Sequence, residues 1–330
     1  LSTSVGSMRR HDRLAGLIEL AEQEQRCIYV DEPADLYAIR RRVREGSLVN
    51  PFRGMYAEAE YWRKLNLTEQ AMHVIRTLAK CKPQRVFAGL SAATVYDLEH
   101  SWSLHSDGMV TIATRNTTGG HTYGKLQRIY VRESDWADVR DQGGIRVTSP
   151  ARTLVDCGLR LSFVDALAIF DSALRKQLVT KEEVEMICNA LRQDCAPVRK
   201  LLEYADPASE NGGESYCRAV IIELGFEPPQ LQVEFRDPDA PANVIRVDFL
   251  WRTPDGGMIV LEFDGMRKYV DPSMTNGRDV QRVVLDERRR EESLKKAGVT
   301  VILRTDYREV RQGSGLFAKL SRAGVPLATV

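Results

Sequence analysis

The sequence lacks several features that would identify a class of protein at once. None of its 330 residues lie in an apolar run that approaches the roughly 18 residues of a membrane-spanning helix. The formal net charge is only +1, and no long acidic or basic tail is present. We therefore expect no membrane contact. Any surface that binds nucleic acid must be a local patch rather than a property of the whole chain.

Cysteine and histidine are too scattered for a disulfide framework or a zinc site. The six cysteines include no CxxC pair, and no histidine occurs after His121. Thiols in apolar or helical contexts predict buried, unpaired cysteines and a reducing, cytoplasmic environment. The histidines show no HxH or HxxxH spacing, and the middle of the chain does not combine a nucleophile, a base and an orienting group.

The composition is that of a globular chain, with 43% hydrophobic and 28% charged residues. A chain of this length predicts two or three domains. Helical and extended patterns alternate along the chain, which predicts an α/β multidomain protein with domains at 8–57, 67–205 and 206–330.

The first 57 residues predict a small DNA-binding module. Two amphipathic segments, "HDRLAGLIELAEQE" and "PADLYAIRRRVREGSL", are followed by "LVNPFRGMYA", which reads as a short extended pair with a bend at Gly54. Helix, basic helix and small wing form the order of a winged helix-turn-helix, whose second helix enters the major groove. The alternative is an ordinary solvated helix face. The candidate DNA-binding residues are Arg40, Arg41, Arg42 and Arg44 of the helix and Arg53 of the wing.

The middle region, residues 67–205, alternates helical and extended patterns and predicts an α/β domain. "GMVTIATR" and "QRIYVR" read as strands. Thr68, Ser149 and Ser162 are the predicted N-caps of three helices, because each begins an amphipathic segment.

The last region raises the sharpest chemical question, in "RVDFLWRTPDGGMIVLEFDGMRKY". Side chains alternate across a strand, so Glu262 and Asp264 share one face, and the "TPDGG" turn brings Asp248 beside Glu262 if the register allows. Carboxylates on an apolar sheet repel one another unless a cation offsets them. Oxygen ligands of this kind predict Mg²⁺, with Mn²⁺ as a substitute, bound by Asp248 and Glu262. The alternative is an ion-pair network with Arg246, Arg267, Lys268 or the arginines of "DERRREE".

Several segments resemble known families. "VDF", "VLEFDG" and "KY", followed by "DERRREESLKKAGVTVILRTDYREV", resemble the very-short-patch-repair-like nuclease domain of the restriction-endonuclease-like PD-(D/E)XK superfamily. "SENGGES", "VTSPARTLVDC" and "REGSLVNPFRGMY" resemble actinobacterial antitoxins of the abortive-infection type IV group, called AbiEi-like. The resemblance spans nearly the whole chain. It implies a winged helix-turn-helix, an α/β middle domain and a restriction-endonuclease-like mixed sheet with flanking helices.

The nuclease-like resemblance implies catalytic roles in the last domain. Asp248 matches the metal-binding aspartate, Glu262 matches the acidic residue of the E-x-K element, and Glu214 matches a glutamate on the first helix. Asp264 stands where that element has lysine, and the nearest lysine is Lys268. The candidate catalytic residues are therefore Glu214, Asp248, Glu262, Asp264 and Lys268.

Two hypotheses of different classes follow. In the first, the chain is a DNA-binding regulator resembling type IV antitoxins, with a cognate toxin as a further partner and a homodimer implied if the DNA target is palindromic. In the second, it is a Mg²⁺-dependent DNA endonuclease that the winged helix delivers to its substrate. A third, an antitoxin that masks its toxin only by protein contact, is disfavoured by the basic residues of the wing.

Overall fold

The computed structural model describes residues 14–30, 33–116, 122, 124–264 and 280–328. The chain divides into two compact units. The first comprises Leu1–Leu161 and Leu178–Lys200, and the second comprises Ser162–Gln177 and Leu201–Val330. This is a mixed α/β protein with several small sheets and one larger sheet of four strands.

The first unit begins with a helix, a short strand, a second helix and a hairpin. The hairpin strands pair antiparallel, and the short strand joins them to give the order β1-β3-β2. Gly54 makes the hairpin turn at φ +72°, a left-handed conformation that glycine adopts without steric cost. The elements are α1 (residues 14–23), β1 (Ile28–Tyr29), α2 (Pro33–Arg44), β2 (Leu48–Phe52) and β3 (Met55–Glu58).

The remainder of the first unit consists of helices around two pairs of strands. β4 and β5 pair parallel, and β6 and β7 pair antiparallel. The elements are α3 (Ala59–Lys64), α4 (Leu67–Cys81), α5 (Gly89–Val95), a 3-10 helix (Trp102–His105), β4 (Val110–Thr114), β5 (Leu126–Tyr130), α6 (Glu133–Trp136), β6 (Arg140–Gln142), β7 (Ile145–Val147), α7 (Pro150–Gly158) and, after the excursion into the second unit, α9 (Lys181–Ala190).

Buried charged side chains connect α7 to α6 and to the end of β5. Arg152 of α7 pairs with Asp135 of α6 at 2.7 Å and with Asp156 at 3.0 Å, and it donates to the carbonyl of Tyr130. Burial raises the pKa of Asp156, and the Arg152 guanidinium opposes that rise. Because all three charged groups are buried and paired, removing one would leave the others uncompensated.

The second unit is built on a mixed sheet of order β11-β10-β9-β8. β8, β9 and β10 run antiparallel in turn, whereas β11 runs parallel to β10 after the α12 crossover. The elements are α8 (Phe163–Arg175), α10 (Ala196–Tyr204, which contains the boundary between the units), α11 (Gly212–Glu223), β8 (Gln230–Arg236), β9 (Val244–Arg252), β10 (Met258–Asp264), α12 (Val280–Lys296), β11 (Val301–Asp306), α13 (Tyr307–Gln312) and α14 (Ser314–Ala323).

The two faces of this sheet carry separate cores. One core joins Phe249 and Leu261 to side chains of α11, α13 and α14. The other joins Leu250 and Val260 to Leu294 of α12. The sheet is therefore covered on both sides, which explains why its strands read as largely apolar runs.

The six cysteines form no disulfide, as the sequence predicts, and five of them are buried. Among the helices of the part of the chain that the structure describes, none is long and apolar enough to cross a membrane.

Candidate functional site

The exposed side of α2 carries a row of cationic and aromatic side chains. Arg40, Arg41 and Arg44 are exposed, and Tyr37 keeps 73% of its surface in solvent. Their spacing of three, four and seven residues from Tyr37 places them on one helical face. We call these four residues the basic stripe. The fourth predicted arginine of the helix, Arg42, is half-buried and lies off this face.

The opposite side of α2 fixes the direction of the stripe. Ile39 is fully buried and packs with Leu14 of α1 and Leu48 of β2, and Val43 lies against the same cluster. Because the helix is anchored through this side, the stripe must point away from the core. Apolar spacing in the sequence predicts this geometry.

Contacts within the stripe leave its charge largely uncompensated. Arg41 approaches Glu45 at 3.5 Å, and both side chains remain about half exposed. Exposed pairs of this kind contribute little and are screened by salt. Arg44 donates to the carbonyl of Arg40 at 3.4 Å, which adds no negative charge. The stripe therefore presents a net positive surface.

The wing presents Arg53 beside this helix. Arg53 is exposed at the hairpin turn, next to Gly54. The side chain of Asn50 donates to the carbonyls of Phe52 and Met55 at 2.9 and 2.7 Å and so closes the turn. Neither Tyr37 nor Asn50 is among the residues predicted from the sequence. The sequence feature that indicates Tyr37 is its helical spacing from the arginines. The feature that indicates Asn50 is its position three residues before a turn.

The second unit brings two of the predicted carboxylates together. Glu214 is only 5% exposed, and it accepts hydrogen bonds from the Glu210 amide at 3.0 Å, Asn211 Nδ2 at 2.5 Å and Gln232 Nε2 at 2.9 Å. Burial raises the pKa of Glu214, the Glu210 amide opposes the rise, and the charge of Asp248 adds to it. Glu214 is thus buried, well bonded and close to a second acid.

Asp248 is the second member of this carboxylate pair. Its Oδ2 accepts from the Phe263 amide at 2.8 Å, and Gln232 Nε2 reaches its Oδ1 at 3.5 Å. Gln232 therefore lies between the two carboxylates. Its backbone has a φ of +50°, a strained value for a residue other than glycine.

The positive φ at Gln232 marks a change of face in two strands. Leu231 and Phe249 pack in the core beside α11, whereas Val233 and Val247 pack in the core beside α12. Regular alternation would place Val247 and Phe249 on one face. The change occurs at Gln232 and at Asp248, which lie between the paired positions Leu231–Phe249 and Val233–Val247.

The other acidic residues face α12. Arg290 pairs with Glu262 at 2.7 Å and also donates to the carbonyl of Arg246. This is the ion-pair arrangement that the sequence left open, made by an arginine of "DERRREE". Arg246 itself pairs with Glu210 at 2.6 Å. Burial lowers the pKa of Arg304, but Glu287 and then Asp264 raise it overall.

The predicted metal ligands are therefore divided between two environments. Asp248 lies with Glu214, and Glu262 lies with Arg290. Among the residues that the structure describes, no three His, Cys, Asp or Glu side chains are grouped so that they could hold a metal ion. Lys268 lies outside the described residues, as does Arg267. A cation at Asp248 and Glu262 would share the Glu262 carboxylate with Arg290.

Comparisons with known proteins bear most directly on the middle of the chain. Residues 86–204 match the family model of the AbiEi antitoxin C-terminal domain. The chain is also 28% identical, over 244 residues, to uncharacterized proteins from two strains of Mycobacterium tuberculosis, and the match covers 70% of this chain and 79% of theirs. No solved structure matches the chain. The family match excludes residues 206–330, for which the nuclease-like resemblance finds no support in these comparisons.

Proposed function

We propose that the protein is a DNA-binding regulator of the antitoxin type, in which the N-terminal segment acts as a winged helix-turn-helix. The observation that carries the proposal is the basic stripe on α2, followed at once by a hairpin with Arg53 at its turn. The match of residues 86–204 to an antitoxin domain supports the same function.

The proposed contact uses α2 as the recognition helix. An α-helix fits the major groove of DNA. There, arginine forms paired hydrogen bonds to guanine, and Tyr37 would add an apolar contact. Arg53 on the wing would bind backbone phosphate, which fixes the register of the helix without reading sequence. A palindromic operator would require a homodimer, because each protein copy offers one such helix.

A cognate toxin is the second proposed partner. The antitoxin-domain match is the basis of this part of the proposal. A protein that only masks a toxin would not need an exposed row of arginines, so DNA binding remains the primary proposed activity.

The test is fluorescence anisotropy with a duplex from the region upstream of the gene. Arg41→Ala and Arg53→Ala should each weaken binding severalfold, because each removes a contact to DNA. Arg236→Ala is the matched control, since Arg236 is an equally exposed arginine of the second unit. Wild-type affinity in Arg41→Ala and Arg53→Ala would disprove the winged-helix assignment.

A Mg²⁺-dependent DNA endonuclease is the second candidate function. One observation favours it: Glu214 and Asp248 approach each other around Gln232 at the sheet, close enough for the charge of Asp248 to raise the pKa of Glu214. Two neighbouring carboxylates are a frequent basis for binding a hard cation. The set is incomplete as it stands, because Glu262 is held by Arg290.

Supercoiled plasmid incubated with Mg²⁺ or Mn²⁺ tests this candidate. Nicking by the wild type that Asp248→Asn abolishes, without loss of duplex binding, would establish the enzyme. Duplex binding with intact plasmid in both proteins would leave the regulator as the function.

A further inference from the structure

A cleft beside the wing of the first unit shares Arg53 with the DNA contact proposed above, but its other charged residues play no part in that contact. It has a volume of about 640 Å³. Its walls are Tyr29 of β1, the wing turn at residues 50–55, the end of α4 with the segment that follows it, and the first half of β5. The volume lies within the range of pockets that bind small organic ligands.

The charged residues that line this cleft are all cations. They are Arg53, Lys82, Arg85, Lys125 and Arg128, and no Asp or Glu occurs among the described residues of the lining. Lys125 Nζ donates to the carbonyl of Pro51 at 2.9 Å, which connects β5 to the wing. A cleft with walls of one sign concentrates the field and attracts ligands of the opposite sign.

Arg85 and Arg128 are the most informative pair. Both are half-buried. Burial lowers the pKa of the Arg85 guanidinium, and the nearby charge of Arg128 lowers it further. Across the described ranges of the chain, neither arginine forms an ion pair with a carboxylate. A bound anion would offset both the repulsion and the lost hydration.

Most of the other residues that line the cleft are apolar. We therefore expect the best ligand to carry an apolar part in addition to a phosphate. Phe52, Met55 and Leu126 are buried, and Tyr29 leaves 36% of its surface exposed. An exposed aromatic ring next to cations is the combination that binds nucleotides, since the ring stacks on the base while the cations bind the phosphate.

We propose that this cleft binds a nucleotide, with its phosphate between Arg85 and Arg128 and its base against Tyr29. The nucleotide is either a free mononucleotide or one unit of a single strand, because both present the same chemistry. The site does not depend on the basic stripe, so it can exist whether or not α2 binds duplex DNA.

Titration calorimetry of the full chain tests the site. The probes are the four ribonucleoside monophosphates, pyrophosphate and a short oligothymidylate. We expect at least one nucleotide or the oligonucleotide to bind with a Kd below about 1 mM. Arg128→Gln should weaken that binding at least tenfold, and Arg236→Gln, the matched control in the second unit, should leave it unchanged. Tyr29→Leu should weaken nucleotide binding more than pyrophosphate binding.

Each outcome decides the proposal. Binding of a monophosphate that needs Arg128 identifies a free nucleotide, and binding of the oligonucleotide alone identifies a strand as the source. Absence of binding by every nucleotide probe overturns the proposal, as does equal binding by wild type and Arg128→Gln. Pyrophosphate binding as tightly as any nucleotide, with no effect of Tyr29→Leu, also overturns it. Lys82→Gln repeats the test at an exposed lining residue, in case Arg128→Gln does not fold.

Discussion

The basic stripe and the carboxylate pair of Glu214 and Asp248 differ in how far their charged groups are exposed and hydrogen-bonded. The arginines of the stripe are exposed on a helix whose other side is anchored in a core, and their described contacts add little negative charge. Glu214 is instead buried and Asp248 half-buried, and backbone amides and Gln232 already donate to them. Charge left in solvent is available to a partner, whereas charge saturated by hydrogen bonds mainly stabilises the fold. We therefore propose that the first region binds a partner and that the second region stabilises the fold.

The largest expected effect comes from removing the positive charge of the stripe. The triple variant Arg40→Ala, Arg41→Ala and Arg44→Ala should weaken duplex binding by about 100-fold or more, since each side chain contributes a phosphate or base contact. Its melting temperature should stay close to wild type, because these side chains are exposed. Anisotropy and thermal unfolding measure the two quantities. A large loss of stability would show that the stripe is structural.

Removing Glu214 should produce the reverse pattern. Glu214→Ala removes the shared acceptor of three partly buried hydrogen bonds, which should lower the free energy of unfolding by about 1–2 kcal/mol. Duplex affinity should not change. The control is Glu203→Ala, an exposed glutamate of the same unit, which should cost less than about 0.5 kcal/mol. Equal stability of the two variants in denaturant titrations would remove the structural role of Glu214.

The titration of Glu214 sharpens the comparison through pH. Its pKa is raised in the folded state, so the folded protein binds the proton more tightly than the unfolded chain does. Its contribution to stability is therefore fully present below the unfolded pKa and is lost as pH rises through the folded pKa. Relative to Glu214→Gln, the wild type should lose stability as the pH rises above the ordinary pKa of a glutamate. If the difference in the free energy of unfolding between the wild type and Glu214→Gln stays constant as pH rises, or changes in favour of the wild type, the raised pKa of Glu214 is contradicted.

The smallest effect is expected at the Glu262–Arg290 pair. Arg290 keeps about a third of its side chain exposed, so solvent screens the interaction. Arg290→Met should lower the free energy of unfolding by only about 1 kcal/mol. If the pair occupies a former metal position, the variant should also gain stabilisation by Mn²⁺, which a thermal shift assay measures. A metal response equal to that of the wild type would show that Glu262 is not a latent ligand.

Local signals in the sequence predict part of the fold. Ser149 and Ser162 cap their helices as predicted, with side chains that accept from Arg152 N and Asp165 N. The prediction for Thr68 was wrong, because Asn66 starts that helix and forms a capping box with Glu69. Asn66 lies two residues before Thr68 and caps the backbone amides at the start of the helix. The spacing of apolar residues in the sequence does not distinguish these two positions.

Longer-range geometry was harder to predict. Alternation along β10 correctly separates Glu262 from Leu261 and Phe263, but alternation does not hold through Asp248. The cause is the coupled irregularity at Gln232, whose positive φ has no signature in a non-glycine residue. The cleft was missed for a related reason, because its cations come from three separated segments that only the fold brings together.

The salt dependence of duplex binding tests the central claim most directly. Each phosphate contact contributes about 0.9 to the slope of log affinity against log salt concentration. The slope of the wild type should therefore exceed that of the triple stripe variant by roughly 2 to 3, while Glu214→Ala should keep the wild-type slope. Equal slopes for the wild type and the stripe variant would contradict the assignment of DNA binding to α2.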